Sequence, residues 1–245
     1  MNIELLKKHN IWWNSVKNLK NDADLKDYFK STFKYSHPFL NKKHNKDAVY
    51  ILRGQRQIGK STLLKLIIKK LLDTKIKPTN ILYFPCDNVL NFKELTDILD
   101  FYIKSISNKQ RVYIFLDEIT QVAEWQRSIK YLHDLGYLDK KTLFLTGSNI
   151  LDLQNYSELL PGRRGDLPMQ ELDQFYYPLT FNETKDLLDN KLTLEEYFLT
   201  GGIPKVINEY KQNGYISDKT YELYISWING DLLRNKKDPN FFYAM

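Results

Sequence analysis

Residues 54–61 read Gly-Gln-Arg-Gln-Ile-Gly-Lys-Ser, with the apolar run AVYILR (48–53) before them and STLLKLIIKKLLD (61–73) after. A G-x-x-x-x-G-K-[ST] stretch in that setting is a phosphate-binding loop, and it dictates strand, tight loop and helix in that order. Gly54 and Gly59 free the backbone to wrap a phosphate where a Cβ would clash. The loop from Gln57 and Ile58 through Gly59 to Thr62 lies against the phosphates. Its amides point inward, and the helix start adds the positive end of its dipole. The Lys60 ammonium can reach β- and γ-phosphates, and the Ser61 hydroxyl suits Mg²⁺. ATP with magnesium is therefore the expected ligand.

The same alternation continues along the chain. NILYFPC (80–86) precedes NFKELTDILDFYIKSIS (91–107), RVYIFLD (111–117) precedes a helical stretch over 124–135, and KTLFLTGS (141–148) precedes ILDLQNYSELL (150–160). These apolar runs do not alternate with polar residues, as expected of central parallel strands covered on both faces. The pattern predicts an α/β fold: a doubly wound parallel sheet with helices on both faces and right-handed crossovers. Residues 169–179 read as a possible edge strand, and the helical patterns over 182–235 as a small C-terminal lid. Residues 1–40 read as two short amphipathic helices, and 41–47 as a linker. The expected domains are an N-terminal extension (1–40), a core (41–180) and a helical lid (181–245).

The third strand ends in Asp117-Glu118, at the sheet end that also carries the phosphate loop. Asp117 is expected to hold Mg²⁺ through its water shell, and Glu118 to orient and polarise an attacking water. A carboxylate directly after the magnesium residue favours transfer to water over transfer to a bound hydroxyl. The next strand ends in TLFLTGSN, which puts Thr146, Ser148 and Asn149 at the same crevice to sense a γ-phosphate or hold the water. In LLPGRRGD (159–166), Arg163 and Arg164 stand out in a Lys-rich chain as candidates to stabilise charge during phosphoryl transfer. LTGGIPKVI (199–207) reads locally as a helix end followed by a new helix start.

Composition narrows the partners. With 36 Lys and Arg against 30 Asp and Glu the net charge is +6, compatible with a phosphate-rich partner such as DNA and equally with a solvated lysine surface. There is one cysteine, Cys86, so no internal disulfide can form. His9, His37, His44 and His133 show no metal-ligand spacing. No apolar stretch is long enough for a membrane helix, and the first residues lack a signal peptide's apolar core. The expected setting is the cytosol.

Taken together, ILRGQRQIGKSTLL, YIFLDEIT, LFLTGSN, SELLPGRRGD, YYPLTFNE and YFLTGGIPKVI resemble the AAA+ class of P-loop ATPases, and within it the archaeal-type or AAA-14 ATPases, over about Trp12 to Leu233. The resemblance implies an ATP-hydrolysing P-loop NTPase core with a helical lid folding over the nucleotide, touching it through Gly202 and Pro204. Members usually continue into a further domain, sometimes DNA-associated, whereas this chain ends at Met245, as a fragment or minimal version would. No second arginine sensor is found in the lid, where Lys205 is the nearest cation. The leading expectation is a Mg-dependent switch or motor ATPase, with DNA, a second copy or a protein as candidate partners. A nucleotide-gated interaction module with negligible turnover and a small-molecule kinase are the rivals.

Overall fold

The computed structural model describes residues 3–32, 34–107, 110–148, 153, 167–188 and 191–234. The chain forms two compact units. One comprises 1–30, 36–55 and 59–176, and the other 31–35, 56–58 and 177–245.

The first unit is built on five parallel strands in the order β2-β3-β4-β1-β5, with helices on both sides. They are β1 (Val49–Gly54), β2 (Ile81–Pro85), β3 (Val112–Asp117), β4 (Lys141–Gly147) and β5 (Asp173–Tyr176). All six residues of β3 are buried, which is why its sequence lacks a polar face. Helices α3 (Lys60–Asp73), α4 (Phe92–Ser105) and α5 (Trp125–Asp134) follow β1, β2 and β3. The core runs from Val49 and Ile51 through Leu82, Ile114, Leu116 and Leu145 to Leu99, Tyr102, Trp125 and Ile129. Each such side chain stabilises the fold by about 1.5–3 kcal/mol.

The register decides what meets at the carboxyl edge. Arg53 pairs with Gly147, and Leu116 with Leu145, so the ends of β1, β3 and β4 come level. The expected edge strand is β5, beside β1, but shorter than the run 169–179, because Met169–Leu172 close a helical turn.

The first of the two expected N-terminal helices is broken. Helix α1 (Ile3–His9) gives way to 3-10 turns at Ile11–Trp13 and Val16–Asn21 before α2 (Ala23–Lys30). Asn10 causes the break. Its fully buried amide donates to the Leu6 and Tyr83 carbonyls (2.7 and 2.9 Å), and its carbonyl accepts the Tyr83 amide (2.7 Å). The indoles of Trp12 and Trp13 donate to the Ile81 carbonyl (3.3 and 2.8 Å). One asparagine thus supplies β2's free edge with the pair of bonds a neighbouring strand would make.

The second unit contains α6 (Phe181–Leu187), α7 (Leu194–Thr200), α8 (Pro204–Asn213) and α9 (Asp218–Arg234). Thr180 with Glu183, and Thr193 with Glu196, form reciprocal capping boxes at the starts of α6 and α7. Gly201 and Gly214 close α7 and α8 in the left-handed conformation. Leu179 and Ile207 are buried together, with Tyr35, Leu187 and Leu188 packed against them.

Candidate functional site

The phosphate-binding loop leaves β1 at Gly54 and enters α3 at Lys60. Gly59 holds φ +103°, where a side chain would be strained, and the nearest atom to an added Cβ is the Tyr176 hydroxyl at 3.4 Å. Gly59 caps the start of a 14-residue helix. The first-turn amides of such a helix have no acceptor within it. Gln57 also takes positive φ (54°) and is exposed, Ile58 is buried, and Ser61 and Thr62 are half-buried. Gly54 has a packing reason to be glycine beside the one expected from sequence. A Cβ there would stand 2.4 Å from the Tyr176 carbonyl oxygen of β5, so strand packing already excludes a side chain.

Lys60 is buried at 4% exposure. Its ammonium donates to the carbonyls of Gly54 (2.9 Å) and Gln55 (2.7 Å) and lies 3.4 Å from Glu118 Oε1. The loop lysine and the carboxylate at the end of β3 therefore share one centre.

Asp117 is likewise 4% exposed. Its Oδ2 accepts the Tyr83 hydroxyl at 2.7 Å, and its Oδ1 accepts the Thr146 hydroxyl. Burial first, then the Asp117 charge, pushes the Tyr83 phenol far above its ordinary pKa. It keeps its proton and serves only as donor. The Cys86 amide donates to the Asp117 carbonyl (2.8 Å), and burial pushes the Cys86 thiol well up, away from the reactive thiolate.

Glu118 sits at φ 51°, ψ 42°, a left-handed conformation uncommon for glutamate. Its amide donates to Thr146 Oγ1 (3.0 Å), and its Oε2 accepts the Ser148 amide (3.0 Å). Holding this backbone costs on the order of 1–3 kcal/mol, and the bonds from β4 offset it. Thr146 is fully buried, and its one hydroxyl both donates to Asp117 and accepts from Glu118. The Ser148 hydroxyl is buried with no hydrogen-bond partner among the described residues. Gly147 is fixed by packing, since a Cβ would lie 2.6 Å from Thr120 Cγ2. Its bareness lets the turn after Glu118 seat on β4.

Gly54, Gly59, Lys60, Asp117, Glu118, Thr146 and Ser148 are thus brought to one edge of the sheet. Arg163, Arg164 and Asn149 lie outside the described residues. Gly202 and Pro204 belong to the second unit. There Gly202 (φ +69°) would place a Cβ 2.1 Å from the Leu179 carbonyl oxygen, and Pro204 opens α8. Sequence reasoning missed Tyr83. Its signal was strand register: Pro85 pairs with Asp117, and Tyr83 lies two residues back on the same face.

Hydroxyl and carboxylate oxygens suit a hard divalent cation, and Ser61 at the start of α3 and Asp117 at the end of β3 are donors of those kinds. The residues present fit Mg²⁺.

Residues 46–185 match the AAA domain of the AAA_14 family, more than half of the chain. An uncharacterized protein of Haemophilus influenzae is 29% identical over 174 residues, 66% of this chain and 40% of that protein. The chain therefore spans about two fifths of that relative's length. The Walker-type ATPase PABY2304 of Pyrococcus abyssi superposes with a TM-score of 0.50 at 16% identity, over 87% of this chain and 73% of that one, a likeness of fold.

Proposed function

We propose a function on the premise that the chain belongs to the AAA_14 family of AAA domains, ATP-binding domains of the P-loop kind. On this reading it hydrolyses ATP to ADP and phosphate in the presence of magnesium, as a cytoplasmic switch or motor. The observation that carries it is the pinned pair Asp117–Glu118, with Glu118 Oε1 3.4 Å from the loop lysine.

Lys60 and the amides from Gly59 to Thr62 hold the phosphates. Ser61 and Asp117 would hold Mg²⁺, which when bound neutralises charge on β- and γ-phosphate oxygens. Glu118 takes the proton of a water whose oxygen attacks the γ-phosphorus. The bond from that phosphorus to the bridging oxygen breaks, and ADP leaves. Thr146 fixes both carboxylates by one hydroxyl, and the Ser148 hydroxyl is the polar group left to meet the γ-phosphate or the water. Arg163 or Arg164 is the proposed source of positive charge at the γ-phosphate, and Gly202 with Pro204 the proposed lid contact. DNA is a candidate partner on charge grounds, and a second copy or another protein stands beside it.

A second reading has its own observation. Both carboxylate oxygens of Glu118 are engaged, one by Lys60 and one by the Ser148 amide. A chain that keeps that arrangement with nucleotide bound would gate interactions and turn over negligibly.

Phosphate release from ATP, with Mg²⁺ and with or without DNA, separates the readings. The hydrolase reading expects turnover in the wild type, nucleotide binding without turnover in Glu118→Gln, and lost binding in Lys60→Ala. Tight binding with equal silence in wild type and Glu118→Gln supports the gated module. No nucleotide binding by the wild type overturns both.

A further inference from the structure

The N-terminal segment grips Tyr83 from two directions. Asn10 binds its backbone on both sides of the peptide, at 2.7 and 2.9 Å. On the ring side, the Lys65 ammonium lies 3.5 Å from the Tyr83 ring centroid, close enough for a strong cation–π contact. Lys65 is 4% exposed, so its charge needs a partner, and Asp22 Oδ2 supplies one at 2.8 Å. The Trp12 ring lies beside the same ammonium at 5.5 Å. The far end of Tyr83 donates to Asp117. A continuous path thus runs from the partly buried Asp22 through the buried Lys65 and Tyr83 to the carboxylate at the end of β3.

None of these groups is needed to fold a phosphate-binding loop. A lysine on the inward face of α3 and a phenol inside a parallel sheet are both costly placements unless partnered. Leu at position 65 and Phe at position 83 would fill similar space at less desolvation. What the polar pair adds is a hydroxyl at a fixed place against one oxygen of Asp117, while Thr146 takes the other. With both oxygens bonded, the carboxylate plane cannot turn.

We propose that the N-terminal segment, residues 3–30, is part of the apparatus that positions the metal-holding carboxylate: Asn10 and the Asp22–Lys65 pair fix Tyr83, and the Tyr83 hydroxyl fixes Asp117. Tyr83 is a positioning residue, acting on the cation only through Asp117. The inference rests on the reading of Asp117 as the residue that holds Mg²⁺.

The test uses the full chain, a fluorescent non-hydrolysable ATP analogue, and Mg²⁺ titrated from EDTA. Outer partners of metal-binding groups typically contribute 10–100-fold in metal affinity. Tyr83→Phe keeps the ring and deletes only the hydroxyl. It is expected to raise the Mg²⁺ concentration at half-saturation at least 10-fold, with analogue affinity in EDTA unchanged. Asp22→Asn, which releases Lys65, is expected to shift the same midpoint a few-fold, with no further shift when added to Tyr83→Phe. An unchanged midpoint in Tyr83→Phe overturns the proposal, as does a loss of analogue affinity that is equal with and without Mg²⁺. A shift in Tyr83→Phe with none in Asp22→Asn overturns the part assigned to the Asp22–Lys65 pair. If wild-type binding of the analogue is indifferent to Mg²⁺, it is the reading of Asp117 that fails, and this proposal with it.

Discussion

The end of β3 and the junction between α7 and α8 both depend on tight backbone, and they are made in different ways. At the end of β3, Asp117 and Glu118 are held by side chains and amides from β2, α3 and β4, elements far apart in sequence and seated on the large apolar core of the sheet. At the junction, the helix caps are local and one backbone bond reaches back to the start of the unit. Gly201 caps α7 through the Tyr197 carbonyl, Leu179 and Gly202 share a backbone bond of 2.9 Å, and the caps of α6 and α7 are closed by residues three positions apart. Large apolar side chains stay exposed nearby, with Phe198 at 71%. Chemistry on a phosphoryl group needs positions held to a fraction of an ångström, which a deep core provides. Short-range devices hold helices together while leaving them easier to open.

The largest effect should come from the chemistry of the rigid region. Glu118→Gln is expected to reduce ATP turnover by roughly 10²–10⁴-fold, with unchanged nucleotide affinity and melting temperature. Loss of fold instead would show that the carboxylate's bonds are structural.

The junction is best probed by its two adjacent glycines. Gly202→Ala combines left-handed backbone with a Cβ 2.1 Å from the Leu179 carbonyl oxygen, and should cost roughly 3 kcal/mol. Gly201→Ala has the same backbone sign and nothing within 4 Å, so about 1 kcal/mol is expected. Urea unfolding followed by far-ultraviolet circular dichroism would read both, and equal effects would remove packing on Leu179 as the reason.

Acid should act on the sheet side. His44 is buried among Phe39, Tyr50 and Phe144, and burial, then Lys70 and Lys42, lowers its pKa from 6.5 to about 4. The unfolded chain therefore binds a proton that the folded chain refuses between those values, so stability falls as pH falls through 6.5 and the loss is complete near 4. The slope is at most about 1.4 kcal/mol per pH unit, up to roughly 3 kcal/mol in all. His44→Phe should flatten this part of a stability–pH curve, and an unaltered slope would assign it to other groups.

Smallest are the helix caps. Thr180→Ala and Thr193→Ala should each lower stability by about 1 kcal/mol, measured in the same urea series, without altering turnover by the sheet region.

Much of the rigid region was readable in the sequence because its parts are contiguous: the loop 54–61, the pair Asp117–Glu118, and apolar runs whose uniform character marks buried parallel strands. What could not be read depends on register. Tyr83 looks like any aromatic in a strand until β2 is aligned with β3, and only then does it fall two residues from the partner of Asp117 on the same face. Thr146 was legible as a polar group at the strand end, but its position between both carboxylates follows from the alignment of β3 with β4. Gly54 was assigned to phosphate approach, while β5, more than a hundred residues later, already forbids a side chain there. Asn10, inside an apparently helical run, gave no sign that it would end the helix, because its partners are backbone groups of a distant strand.

That asparagine bears on handling the molecule. A strand edge satisfied by one side chain and two indoles is protected only while those residues are present. A chain shortened to begin after α2 would bare the Ile81 and Tyr83 peptide groups on an apolar strand, and unpaired edges of that kind recruit other strands. Such a chain should aggregate through β2, although every motif for nucleotide chemistry would still be intact.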